Sequence, residues 1–379
     1  MAHVTRQQPA LYPPGLEHAT TKEKLEFFEG VIIEHDLFDD TLEQIDDHAK
    51  SGLRGSMVVL VGPAGAGKSS IGDTACSRMN REFFELFPDD LHTIPAALIE
   101  AWSPEFDKFD WQDFYELILT VLQVPLIADT LPEVRRVIAG RELVLPLFPN
   151  AGRPTLRDLR QRLRRAVSDR RPSMLFVDEA SSVLVSPRQG VRRQANTLRS
   201  IVNKVHTLLV LSGAYDLYDL VLETGQLARR GQVVHMRGYF ESELEPFGRA
   251  LIALQNCMPL DPPCNLENHV DRLAEQSLRT VGHLKYILLR ALGEHCRTKQ
   301  PIDGDMLERA FYKPAQLETM RNEMYDGYWK VEQRRHPDDH RVGDDQAPAA
   351  SKTGDDKVPK TGRKAHVGKP KPSRKPIGQ

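Results

Sequence analysis

Cysteine is scarce and long apolar runs are missing. The four cysteines, Cys76, Cys257, Cys264 and Cys296, are scattered over 379 residues without Cys-x-x-Cys spacing. That pattern argues against a zinc site or a disulfide framework and fits a reducing compartment. No apolar run approaches the roughly 18 residues of a membrane span. Met1 to Pro14 also lacks the basic-then-apolar order of a secretory signal. A soluble, cytoplasmic protein with no membrane contact is expected. Helix-turn-helix and zinc-finger patterns are absent too, so any nucleic-acid binding should be indifferent to base sequence. Net charge is small at -2, but it is unevenly spread: the stretch from Lys352 to Gln379 holds nine Lys or Arg against Asp355 and Asp356. Such a segment binds polyanions through counterion release, or else simply keeps the chain soluble.

What is present centres on Gly62-Pro63-Ala64-Gly65-Ala66-Gly67-Lys68-Ser69, which follows the apolar run Met57 to Val61 and precedes a helix-compatible Ser70 to Met79. This G-x-x-x-x-G-K-S pattern arises by chance in about one chain in a hundred of this length, and its strand-loop-helix setting makes it specific. The glycines let successive backbone N–H groups turn inward on phosphates, and the helix presents its positive end. Lys68 is placed to reach β- and γ-phosphates and Ser69 to ligate Mg²⁺. Residues 62 to 70, Ser70 included, are therefore the candidate nucleotide-binding residues.

A second signature follows about 110 residues later. Met174-Leu175-Phe176-Val177 is a strand pattern ending in Asp178-Glu179. Asp178 would hold the Mg²⁺ shell, and Glu179 would polarise the attacking water. A helix from Val191 to Val205 leads into the strand Thr207 to Leu211, which ends at Ser212-Gly213. Ser212 is the candidate to touch a γ-phosphate or the water, its other reading being the start of a turn. Arg229 and Arg230 stand before a strand-like Val233 to Met236. They fit either dipole complementation at a helix end or an arginine finger acting on a neighbouring subunit.

Elsewhere the pattern is mostly helical. Residues 1–20 read as an arm that is flexible or ordered only on a partner, and one or two short helices are expected between Lys22 and Lys50. Leu86-Phe87-Pro88 and Ile94 to Ile99 read as strand ends or loops, because proline removes a ladder donor. Phe109 to Leu122 and the arginine-rich Thr155 to Asp169 read as amphipathic helices. Arg157, Arg160, Arg162, Arg164 and Arg165 of the latter form a solvated face or a polyanion contact. Residues 241–330 show only helical periodicity, with Lys285 near the start of one helix, where it points either at the nucleotide or at solvent. Residues 331–379 should be disordered.

The order of these signals resembles the AAA+ ATPases. Ala195 to Ser200, Leu209 to Tyr215 and Gly225 to Arg230 are similar to the transposition regulators of the TnsC/TniB kind, relatives of the phage transposition ATPase MuB. The resemblance spans about residues 25–295. It implies an α/β fold: a three-layer αβα core with a parallel sheet over residues 21–240, an insertion around 84–150, a small all-helical lid over 241–330, and a disordered basic tail. By position it carries over Lys68 and Ser69 as nucleotide and magnesium residues, Asp178 and Glu179 as the hydrolytic pair, and Ser212 as first sensor. Arg229 or Arg230 matches the finger, and Lys285 the second sensor, where the usual residue is Arg. ATP and Mg²⁺ are the implied cofactors. The implied protein is bacterial and forms rings or helical filaments on duplex DNA. It engages a target-selection protein and a transposase, and hydrolysis disassembles it. Another AAA+ or STAND-type switch ATPase of phage defence or signalling shares the same signatures. Such a switch is expected to carry an effector or repeat domain, of which the sequence after residue 330 shows no sign.

Overall fold

The computed structural model describes residues 11–51, 57–102, 109–123, 133–138, 141–146, 154–184, 197, 207–222 and 231–335. Five short apolar runs form one parallel sheet: β1 (Met57–Val61), β2 (Ala96–Glu100), β5 (Met174–Asp178), β6 (Leu208–Gly213) and β7 (Gly231–His235). Their spatial order is β2-β5-β6-β1-β7. Val61 lies level with Gly213 on one side and His235 on the other, and Asp178 lies level with Glu100. Both sequence signatures therefore end on the same carboxyl edge of the sheet, where open α/β sheets bind ligands.

Every residue of β1, β5 and β6 is buried, because helices cover both faces. Val59, Val61, Val177 and Leu211 share a core with α4 (Trp111–Val121) and α5 (Leu156–Arg170). The alternate residues Val58, Leu60, Phe176 and Val210 share another with α2 (Asp36–Lys50) and α3 (Lys68–Leu86). These are the three layers of an αβα core.

Three local expectations change. Ile94 to Ile99 is largely the strand β2, because Pro95 stands just outside it and its missing N–H costs no ladder bond. Pro95 instead accepts from the N–H groups of Ser173 and Met174. Within 84–150, β2 and α4 belong to the main layers, whereas β3 (Glu133–Ile138) and β4 (Arg141–Pro146) pair antiparallel as a separate two-stranded sheet. Residues 11–20, expected as part of a flexible arm, are docked. Leu11 donates its N–H to Asn256 O at 2.8 Å, and the Tyr12 hydroxyl donates to Leu260 O at 3.2 Å. Thr20 then caps α1 (Thr21–Gly30) through a reciprocal box with Glu23.

The helices after β7 build a third core. After α6 (Tyr218–Leu222), these are α7 (Leu244–Asn256), α8 (Val270–Gln276), α9 (Val281–Thr298) and α10 (Gly304–Ala310). Their residues Phe247, Leu251, Leu284, Leu288 and Met306 enclose Phe28 of α1, so the first helix of the chain belongs with the last ones. A final helix, α11 (Pro314–Arg335), runs slightly past the point where order was expected to end, and its Val331 is buried in the core of the α/β layers. The tail from residue 336 lies outside the described residues. No described helix is long and apolar enough to cross a membrane.

Candidate nucleotide site

The loop between β1 and α3 has the backbone that its glycines predict. Gly65 and Gly67 sit at φ +71° and +101°, the left-handed region that side chains avoid, and Gly67 immediately precedes the first turn of α3. The Lys68 ammonium folds back over this loop and donates to Gly62 O at 2.9 Å and Pro63 O at 2.8 Å. Burial holds Lys68 below the ordinary lysine value. The nearby carboxylates of Glu179, Asp178, Glu323 and Asp216 oppose that shift.

At the end of β5, Asp178 is buried and Glu179 exposed. Glu179 has φ +49°, a conformation that costs a non-glycine residue about 1 kcal/mol or more. The next turn ties β5 to β6. Ser181 donates its hydroxyl to Asp216 and accepts the Ala214 N–H at 3.2 Å. Ser212, on β6, is fully buried, and among the described residues its hydroxyl is the buried side-chain polar atom without a hydrogen-bond partner. Side chains alternate along a strand, so Ser212 shares the face of Leu208 and Val210, the face covered by α3 and the loop.

Two helices close over this edge. The first turn of α9 meets the loop directly: Gly282 donates its N–H to Gly65 O at 2.9 Å. A Cβ on Gly65 would come within 3.0 Å of the His283 ring, whose Nδ1 is 3.0 Å from the Tyr312 hydroxyl. Burial, and then the neighbouring Lys68 charge, hold the His283 imidazole below its ordinary value and so favour the neutral ring. The helix α11 arrives from the other side. Its Glu332 accepts from His235 Nδ1 at 2.7 Å, while His235 Nε2 is 3.1 Å from the Tyr215 hydroxyl. Carboxylates only accept, so Nδ1 carries a proton, and in the neutral ring Nε2 then accepts from Tyr215. Lys330 adds an ion pair with Asp219 at 2.9 Å.

Residues 53–221 match the protein family described as an AAA domain. No curated protein matches the chain in sequence. Among solved structures, the Aeropyrum pernix ORC2 protein in its ADPNP–ADP complexes is similar at 13% identity and TM-score 0.51, over 75% of this chain and 70% of that one. A Walker-type ATPase of Pyrococcus abyssi is similar at 15% identity and TM-score 0.43, over 79% of this chain and 75% of that one. Drosophila ORC bound to DNA is similar at 13% identity and TM-score 0.39, over 75% of this chain and 67% of that one. At 13% identity the likeness to the ORC2 protein is one of fold.

The parallel sheet brings Gly62 to Ser70, Asp178, Glu179 and Ser212 to one edge. Lys285 is not among them. Its ammonium donates to Glu29 O at 2.6 Å and Val31 O at 2.7 Å, and so caps the carboxyl end of α1. Residues two apart on a helix point about 200° apart, so His283 facing the loop sends Lys285 away from it. Arg229, Arg230 and nearly all of the expected helix from Val191 to Val205 lie outside the described residues. The residues present fit a nucleoside triphosphate with magnesium. This edge supplies a positive-φ loop, a lysine among carboxylates, hard oxygen donors on Ser69 and Asp178, and a buried hydroxyl in need of a partner. Sequence reasoning missed Gly282, His283 and the α11 contacts. The one local trace of them is the Gly-His pair just before Lys285.

Proposed function

We propose that the protein is an ATPase that assembles on duplex DNA when ATP is bound and regulates transposition by linking target-site selection to the transposase. Hydrolysis then drives disassembly. The observation that carries the ATPase reading is Lys68 beside the Asp178-Glu179 carboxylates, with the unpartnered Ser212 hydroxyl on the neighbouring strand. The Aeropyrum protein that shares the fold was solved with ADPNP and ADP, which agrees with it. In this reading the N–H groups of residues 62–70 and the Lys68 ammonium bind the phosphates. Ser69 and Asp178 would hold a magnesium ion, which would offset the negative charge of the phosphates. Glu179 accepts the proton of the attacking water, and Ser212 donates to the γ-phosphate or to that water.

The transposition reading is supported by the sequence likeness of residues 195–200, 209–215 and 225–230 to TnsC/TniB-type regulators. It makes Arg229 or Arg230 a finger that completes the site of a neighbouring subunit. A contact of that head-to-tail kind builds rings or open helices, according to whether its rotation closes. The test mixes two variants on duplex DNA, Arg229→Ala/Arg230→Ala and Lys68→Ala, each inactive alone. Recovered ATP turnover in the mixture is expected, because a mixed interface joins one intact pocket to one intact finger. A finger is worth roughly 10³ to 10⁵ in rate. A double arginine variant with full activity, or a mixture that assembles on DNA yet stays inactive, would overturn it.

A further inference from the structure

The helix α5 carries arginines of two kinds, and the structure separates them. Arg160 donates to the Tyr115 hydroxyl at 3.3 Å and lies over that ring. Arg170 donates to the carbonyls of Leu122, Gln123 and His92. Both fasten α5 to its neighbours. Arg157, Arg164 and Arg165 are exposed and make no salt bridge or side-chain hydrogen bond among the described residues. Arg157 has Asp158 beside it, but that carboxylate is engaged in the cap with Thr155. At 100° per residue, Arg157, Gln161, Arg164, Arg165 and Ser168 fall within a sector about 100° wide. That sector lies opposite the buried Leu159, Leu163 and Ala166.

The charge behind this face is local. Residues 133–171 hold eleven Arg and no Lys against four Asp or Glu, in a chain whose net charge is -2. A solvated face needs neither one sign nor one residue type. A face whose charged residues are all arginines suits phosphate, because the planar guanidinium fork grips two oxygens at once. Arg157 and Arg164 are one heptad apart, about 10 Å along the axis, so the helix presents a row of forks that backbone phosphates match without any reading of bases.

We infer that the outer face of α5, through Arg157, Arg164 and Arg165, is a seat for the phosphate backbone of duplex DNA. This rests on the proposed DNA-assembling function and names its surface. The measurement is the affinity of the full chain, with ATP and Mg²⁺, for a fluorescent duplex over a series of salt concentrations. For Arg157→Ala/Arg164→Ala/Arg165→Ala the slope of log affinity on log salt should fall by up to about 2.7, three contacts at about 0.9 each. Affinity at low salt should fall at least tenfold, with ATP affinity unchanged. Arg170→Ala should lower thermal stability and leave the slope alone, which separates packing from contact. Should the triple variant not fold, the triple Arg→Gln variant gives the same reading. Wild-type slope and affinity in a folded triple variant would overturn the seat while leaving the proposed function standing. A wild-type protein that binds no duplex would instead overturn the function. Loss confined to double-stranded RNA, with duplex DNA binding intact, would overturn the assignment to DNA.

Discussion

Gly282 donates its backbone N–H to the carbonyl oxygen of Gly65 across 2.9 Å, so the tip of the phosphate loop and the first turn of α9 meet backbone to backbone. No side chain fits between them, since a Cβ on Gly282 would lie 2.2 Å from that oxygen. The substitution Gly282→Val should therefore separate helix and loop at a cost of about 1–3 kcal/mol. Hydrogen exchange should show faster exchange at residues 62–68 and 281–285, and nucleotide affinity should change with it. Unchanged protection at both segments would show that the contact is incidental.

Ser212→Ala discriminates between a structural and a functional hydroxyl. A buried hydroxyl without a partner costs about 1–3 kcal/mol, so its removal should raise Tm slightly, or leave it unchanged, in the absence of nucleotide. ATP turnover should fall in the same variant. A drop in Tm with normal turnover would return Ser212 to the role of a turn residue.

The docking of α11 also turns on one glycine. A Cβ on Gly327 would come within 2.0 Å of the Tyr215 ring, and Glu332 reaches His235 one to two turns later. Gly327→Val should lift α11 and break the link from Glu332 through His235 to Tyr215, three residues beyond Ser212. Limited proteolysis within residues 314–335 should become faster than in the wild type. Turnover should shift as well, because the strand that carries Ser212 loses its support. Wild-type resistance to cleavage would show that the helix accommodates the side chain.

His35 supplies a pH dependence of stability. Burial holds its imidazole down to about 4 against the ordinary 6.5, only partly opposed by Asp36, and its Nδ1 lies 2.9 Å from the Tyr239 hydroxyl. The folded state thus keeps the ring neutral while the unfolded chain takes up a proton near pH 6.5. Stability is full above that pH and falls as pH drops from 6.5 towards 4. His35→Gln, which removes the titration, should lose about 2 kcal/mol less than the wild type between pH 7 and pH 5. Parallel melting curves of the two proteins would refute this.

The sequence by itself determined the phosphate loop, the strand ending in Asp178-Glu179 and the strand ending at Ser212. Each is written in a few consecutive residues whose glycines, apolar runs and terminal acids dictate their own conformation. The three-layer order followed from the same runs, since strands buried on both faces require helices on both. The tertiary structure alone decided which distant groups meet at the edge those signals create. Nothing near Lys285 in sequence says that it caps α1, because its partner Val31 is 254 residues away. His235 and Glu332 are 97 residues apart, and their pairing depends on the return of α11 to the sheet. The face of α9 that meets the loop was fixed by the packing of Leu284, Leu288 and Leu292 around Phe28. That packing rotates the helix so that His283 faces the loop and Lys285 does not, a choice that spacing along a single helix leaves open.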